Sequence, residues 1–139
     1  MNRILKNILA VFAGWIGGSI INMGFVQLGN FLYPIEGVDV NDMEALSAVM
    51  PTLSFEYFIF PFLAHALGTF SGAFLAALIA SSKKMLFAFI IGGLFLIGGI
   101  MVNYMITGPL WFTITDIVLA YLPMAWLGAL LAIKLSNKK

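Results

Sequence analysis

The segment 57–80 contains no Asp, Glu, Lys or Arg, and it holds the only histidine of the chain, His65. About 20 apolar residues at roughly 1.5 Å rise per residue cross the hydrocarbon core of a bilayer, so this segment predicts a transmembrane helix. The chain as a whole is 62% hydrophobic and 9% charged, whereas a soluble domain is about one quarter charged. Because such a chain cannot cover itself with polar surface, its composition indicates a lipid environment.

Three further apolar segments accompany this one, and we expect all four to form a single transmembrane domain, 1–139. The predicted spans lie at about 4–32, 57–80, 85–107 and 110–135. The predicted fold class is all-α, an integral membrane four-helix bundle with up-down topology. Pro123 lies inside the fourth span, where a proline kinks a helix or frees a carbonyl for another partner.

The segment 33–56 is the one long connection between the predicted spans, and its charged residues are all acidic. Asn41 followed three residues later by Glu44 has the form of a helix-capping pair. The apolar residues that follow recur at helical spacing and predict a short interfacial helix that ends at Pro51. The segment lacks the glycine and the alternating oxygen ligands of an EF-hand, so its acidic residues are interpreted as a solvated face and not as a metal site.

The basic residues predict how the chain is oriented. All of the 7 Lys and Arg residues fall on one predicted side of the bilayer, namely Arg3, Lys6, Lys83, Lys84, Lys134, Lys138 and Lys139. By the positive-inside rule we expect both termini in the cytoplasm and the acidic 33–56 loop outside. The predicted location is therefore the cytoplasmic (inner) membrane, as a multi-pass protein.

Glycines recur at helical spacing within the first three predicted spans. The residues predicted to mediate helix packing are Gly14, Gly18, Gly68, Gly72, Gly92 and Gly99. Small residues let helix backbones approach closely in a membrane. Because these faces exceed what one small core needs, our main functional hypothesis is a helix-packing subunit. Its expected partners are the lipid bilayer and either further copies of the chain or a larger membrane complex.

Each predicted span also carries one polar residue, and these are Asn22, His65, Asn103 and Asp116. Counted inward from the predicted outer boundary at about 1.5 Å per residue, their depths are roughly 7 to 15 Å. Ionisable residues inside a span usually face the bundle interior and pair, so we expect His65 and Asp116 to meet, with Asn22 and Asn103 nearby.

Two interpretations of these polar residues stay open. They could hold the helices in register through hydrogen bonds that contribute about 0.6–2 kcal/mol each. Alternatively, they could bind a cation, a proton or a small solute, which would make the protein a small transporter or channel. Catalysis by His65 and Asp116 ranks last because no nucleophile, metal set or oxyanion donor accompanies them.

Other function classes are disfavoured by what the sequence lacks. The chain has no cysteine, which removes disulfides, thiolate metal ligands and dithiol redox chemistry. No basic stripe is present to meet nucleic-acid phosphates, so nucleic acid is not an expected partner. The glycine pairs do not follow a strand, as nucleotide-binding motifs require. We therefore predict no cofactor and no metal ion.

Overall fold

The computed structural model describes residues 2–137, and within this range the chain is all-helical and contains no strand. The α-helices are α1 (Arg3–Leu32), α2 (Met43–Val49), α3 (Glu56–Ile79), α4 (Lys84–Met105), α5 (Leu110–Leu119) and α6 (Leu122–Ser136). Helices α5 and α6 follow one another closely and together form the apolar segment Leu110–Ser136. Four segments, namely α1, α3, α4 and α5–α6, are thus long and apolar enough to cross a membrane.

Helix α3 is central, because it packs against α1, α4 and α6. Helix α1 runs antiparallel to it, since Gly14 lies opposite Gly72 and Gly18 lies opposite Gly68. On the other side of α3, fully buried alanines and Ile91 fill the space toward α4 and α6. Side chains this small bring the backbones close together, which increases dispersion contacts between the helices.

The fold separates the charges of the chain. At one end, the backbone N–H of Ser81 donates to Asn7 Oδ1 at 2.9 Å, which joins the α3–α4 turn to the start of α1. The described basic residues lie at this basic end, and they are Arg3, Lys6, Lys83, Lys84 and Lys134. The segment 33–56 forms the opposite, acidic end. Lys138 and Lys139, which belong to the predicted basic side, lie outside the described residues.

The fourth apolar segment is broken into two helices. Helix α5 ends at Leu119, and Pro123 occupies the first turn of α6, where its missing N–H is not needed. The break comes at Ala120 and Tyr121, just before the proline that predicted a kink. It directs Tyr121 into the interior, where this side chain is 1% exposed.

Helix α2 lies in the acidic segment and is followed by a 3₁₀ turn, Met50–Thr52, that contains Pro51. Its N-cap is Asp42, whose side chain accepts from the N–H groups of Glu44 and Ala45, each at 3.1 Å. The prediction of Asn41 as the N-cap was wrong by one residue. Its side-chain amide instead donates to Asp39, because the carboxylate of the next residue already satisfies the first turn of the helix.

Thr69 of α3 gives a first test of this packing. It is 0% exposed, and its hydroxyl has no hydrogen-bond partner within residues 2–137. We expect Thr69→Val to raise the free energy of unfolding by up to about 1 kcal/mol, because valine keeps the shape and removes an unpaired buried hydroxyl. Unfolding in mixed micelles measures this. The control, Thr113→Val, deletes a hydroxyl that donates to Asn103 and should act in the opposite direction; stabilisation by both variants would contradict the assignment.

Candidate functional site

Helices α3 and α5 bring His65 and Asp116 into direct contact. The imidazole Nδ1 of His65 lies 2.8 Å from Asp116 Oδ1 and 2.9 Å from Oδ2. The side chain of Asp116 is 0% exposed, whereas that of His65 is 15% exposed. The aspartate is therefore the buried member of the pair, and the histidine is the member that reaches accessible space.

Asp116 accepts hydrogen bonds from two further side chains. The hydroxyl of Tyr121 donates to Oδ2 at 2.9 Å, and the amide Nδ2 of Asn103 donates to the same oxygen at 3.3 Å. A carboxylate removed from water is stable only when donors replace the water. The three donors come from α3, α4 and the α5–α6 break, so one carboxylate joins three parts of the fold.

Asn103 is itself held in place. Its Nδ2 also donates to the carbonyl of Gly99 at 2.9 Å, and its Oδ1 accepts from the hydroxyl of Thr113 at 3.1 Å. These contacts fix the orientation of its side-chain amide. We call His65, Asn103, Thr113, Asp116 and Tyr121 the Asp116 network.

The network leaves one ring nitrogen of His65 unused. When Nδ1–H donates to the carboxylate, the neutral imidazole presents Nε2 as a hydrogen-bond acceptor. Within residues 2–137, Nε2 has no hydrogen-bond partner, and it is not among the atoms sealed in the interior. It therefore reaches accessible space with its ring orientation fixed by Asp116.

The space in front of His65 is a cavity of about 500 Å³ at the acidic end. This volume lies within the roughly 300–1,000 Å³ typical of small-molecule sites. The cavity lies between α1, α3 and α4, and α2 with its 3₁₀ turn covers it. Most of its lining is apolar. The polar residues that line it are Gln27, Asn30, Asn41, Glu56, His65 and Asn103, together with Tyr33 and Tyr57.

Asn22, which we expected beside His65 and Asp116, does not join the network. It lies on α1 directly opposite Gly68, where a Cβ added to the glycine would come 2.8 Å from the Asn22 Cβ. It neither lines the cavity nor has a side-chain hydrogen bond within residues 2–137. The reason is rotational: the face of α1 that carries Asn22 packs on the glycine face of α3.

The six glycines predicted to mediate helix packing all face other parts of the same chain. An added Cβ at Gly14 or Gly18 would lie 2.6 Å from the carbonyl oxygen of Gly72 or Gly68. At Gly92 it would lie 2.6 Å from the Cβ of Ala125, and at Gly99 it would meet the Tyr121 hydroxyl. By contrast, Gly24, Gly93 and Gly98 have no neighbour within 4 Å of an added Cβ.

Two network members, Thr113 and Tyr121, were missed from the sequence. The pattern of one polar residue in each span does not single out Tyr121, which lies within the predicted fourth span. A usable signal was present: Pro123 follows two residues later, and a proline near the start of a helix implies a break just before it. A residue at such a break is free to turn inward.

No family model matches the chain, and no match was found among curated proteins or solved structures. Among residues 2–137, no three His, Asp or Glu side chains lie close enough together to hold a metal ion. The Asp116 network and the cavity beside it together form the candidate functional site.

Proposed function

We propose that this chain is a multi-pass protein of the cytoplasmic membrane that binds a small molecule in the cavity beside His65. The surface supports a lipid environment, because large apolar side chains on α1 and α4 are half or more exposed, among them Phe12, Trp15, Ile97 and Met101. Contiguous apolar surface of this extent needs an apolar solvent. The four long segments would then cross the bilayer as an up-down bundle.

The proposed orientation follows from the separation of charge. The basic end would lie in the cytoplasm, and the acidic end, with the cavity and α2, would lie outside. In this arrangement the Asp116 network lies at the depth of the outer leaflet.

The observation that carries the proposal is the unused Nε2 of His65. A network that served only helix packing would need polar atoms only where they bond to one another. Here Asp116, Asn103 and Tyr121 are satisfied within the protein, while one nitrogen is held toward a cavity of about 500 Å³. Ionisable residues inside a membrane most often mark binding or transport sites.

The packing of the basic half favours binding over a continuous pore. Between His65 and the basic end, the space among α3, α4 and α6 is filled by 0% exposed side chains, including Ala73, Ala77, Ala129 and Ala132. Transport across the membrane would therefore require these helices to separate. Binding at the acidic end requires no such change.

A helix-packing subunit or homo-oligomer has weaker support. That hypothesis needs glycine faces directed outward, whereas the six glycines on which it was based contact their own chain. Gly93 and Gly98 of α4 keep open space in front of them, so assembly through α4 is the form of this hypothesis that the geometry favours.

Binding can be tested with the protein purified in mild detergent from its own membranes. We expect native mass spectrometry to show an additional small mass on the wild-type protein, and His65→Ala to lose it, because the alanine cannot hydrogen-bond the bound molecule. The matched control is Leu67→Ala, which truncates a half-buried α3 residue outside the cavity and should retain the mass. A wild-type protein without bound mass, or a His65→Ala variant that keeps it, would overturn the proposal.

A further inference from the structure

We infer that the molecule bound beside His65 is a neutral single-chain amphiphile with a hydroxyl head group, which reaches the cavity from the bilayer between α1 and α4. This inference rests on the proposed binding function and names its ligand class. Three features of the cavity support it: where it opens, what covers it and which charges line it.

The cavity opens sideways. Helices α1 and α4 approach each other near Gly18, where an added Cβ would lie 2.8 Å from a ring atom of Phe95. Closer to the acidic end, Met23 of α1 and Val102 of α4 both line the cavity while being 55% and 43% exposed. These two residues therefore flank an opening between α1 and α4, while Asn41, Met43 and Glu56 are exposed lining residues on the side toward water.

The opening lies within the apolar part of the fold. Met23 is nine residues from the end of α1 at Leu32, and Val102 is three residues from the end of α4 at Met105, so the opening extends from about 5 to about 14 Å below the helix ends at 1.5 Å per residue. In the proposed membrane its surroundings are lipid chains. A hydrated ion would have to shed its water there, which is costly, whereas an amphiphile already occupies this region.

The side toward water is covered by apolar residues of α2 and its 3₁₀ turn. Met43, Leu46 and Met50 line the cavity from this side. Helix α2 is tied down because Ser47 Oγ accepts from the backbone N–H of Thr107 at 3.0 Å. Apolar side chains thus cover part of the side toward water, while the opening between Met23 and Val102 suits an apolar chain.

The lining charges indicate a neutral head group. Among residues 2–137, no Lys or Arg lines the cavity, and Glu56 is the one lining carboxylate outside the network. A carboxylate or phosphate ligand would therefore lack the fixed cation that normally binds it. At the inner end, Nε2 of His65 accepts a hydrogen bond when the ring proton is on Nδ1, and the remaining lone pair of Asn103 Oδ1 accepts another. A hydroxyl can donate to either and brings no charge into the apolar cavity.

The head-group preference can be measured on His65 itself. Because the chain contains 1 histidine, protein labelled with [15N]histidine and purified without a histidine tag gives imidazole signals from this residue alone. In phosphatidylcholine nanodiscs, we expect oleyl alcohol to shift the Nε2 signal in a saturable manner. Oleic acid and oleylamine, which carry the same chain with charged head groups, should bind at least roughly tenfold more weakly. Equal responses to all three, or a preference for a charged head group, would overturn the inference.

The route can be tested by filling the opening. We expect Val102→Trp and Met23→Trp to weaken oleyl alcohol binding at least roughly tenfold, because the indole occupies the gap through which the chain passes. Met101→Trp and Ile20→Trp are matched controls, since these neighbours are 58% and 65% exposed and do not line the cavity. An equal effect at all four positions, or at none, would contradict lateral access.

The two proposals fail in different ways. If oleyl alcohol leaves the His65 signal unchanged while the native protein still carries a His65-dependent mass, the ligand class is wrong and the binding function stands. If no such mass is present and no amphiphile shifts the signal, both are wrong.

Discussion

Replacement of Asp116 by alanine should lower the free energy of unfolding by about 3–5 kcal/mol, because it removes the acceptor of a buried hydrogen-bond network and leaves its donors unpaired. Single interhelical hydrogen bonds in membranes average only about 0.6 kcal/mol. This substitution, however, deletes an acceptor that serves His65, Asn103 and Tyr121 together. Donors left unpaired in the interior cost roughly 1–3 kcal/mol each. Unfolding in mixed micelles gives the value directly.

Two variants separate the network from simple loss of volume. Asp116→Asn keeps the shape and one acceptor oxygen. We therefore expect it to lower the free energy of unfolding, but by less than Asp116→Ala does. Thr115→Ala, at the adjacent residue, removes a hydroxyl that donates only to the carbonyl of Trp111 in its own helix and should cost less than about 1 kcal/mol. If Asp116→Ala costs no more than Thr115→Ala, Asp116 does not join the helices as described.

Replacement of Gly72 by leucine should destabilise the fold by about 3 kcal/mol or more, and by alanine by about 1–3 kcal/mol. An added Cβ at Gly72 would lie 2.6 Å from the carbonyl oxygen of Gly14 and 3.1 Å from a side-chain carbon of Ile91. The first of these atoms belongs to a helix backbone, so α1 as a whole must move away from α3. The same unfolding measurement reports the change.

The control variant is Gly24→Ala, for which we expect no loss of stability. Gly24 lies on α1, and apart from its chain neighbours and its own helix backbone no atom of residues 2–137 lies within 4 Å of an added Cβ; alanine is favoured over glycine inside a helix by about 1 kcal/mol. Gly24→Ala should therefore leave the protein equally stable or slightly more stable. Destabilisation of similar size by Gly24→Ala and Gly72→Ala would show that close packing between α1 and α3 is not the cause.

The packing role of the polar residues and the proposed binding role do not exclude each other. Asp116, Tyr121 and Asn103 are buried or half-buried and bond to one another, as a packing role requires. His65 uses one ring nitrogen for that purpose and keeps the other for the cavity. In this arrangement a single carboxylate joins the helices and also orients the imidazole that we propose binds a ligand.

Much of this architecture follows from the sequence because it depends on counting residues. The absence of charge over 57–80 and three similar segments is enough to specify long apolar helices. Each residue advances a helix by about 1.5 Å along its axis. A similar depth for His65, Asn103 and Asp116 could therefore be inferred from their residue numbers alone. The segregation of basic and acidic residues is likewise a property of their order in the chain.

What only the tertiary structure decided depends on rotation about the helix axes and on breaks in the helices. Asn22 lies at a depth similar to that of His65 yet faces the glycines of α3, while Tyr121 turns inward because the backbone breaks ahead of Pro123. Spacing shows that Gly14 and Gly18 share a small face, but not which helix covers it. The depth of a residue is set by its position along its helix, whereas the direction in which its side chain points is set by how all the helices pack together. The cavity beside His65 exists because that packing leaves α1 and α4 apart at the acidic end.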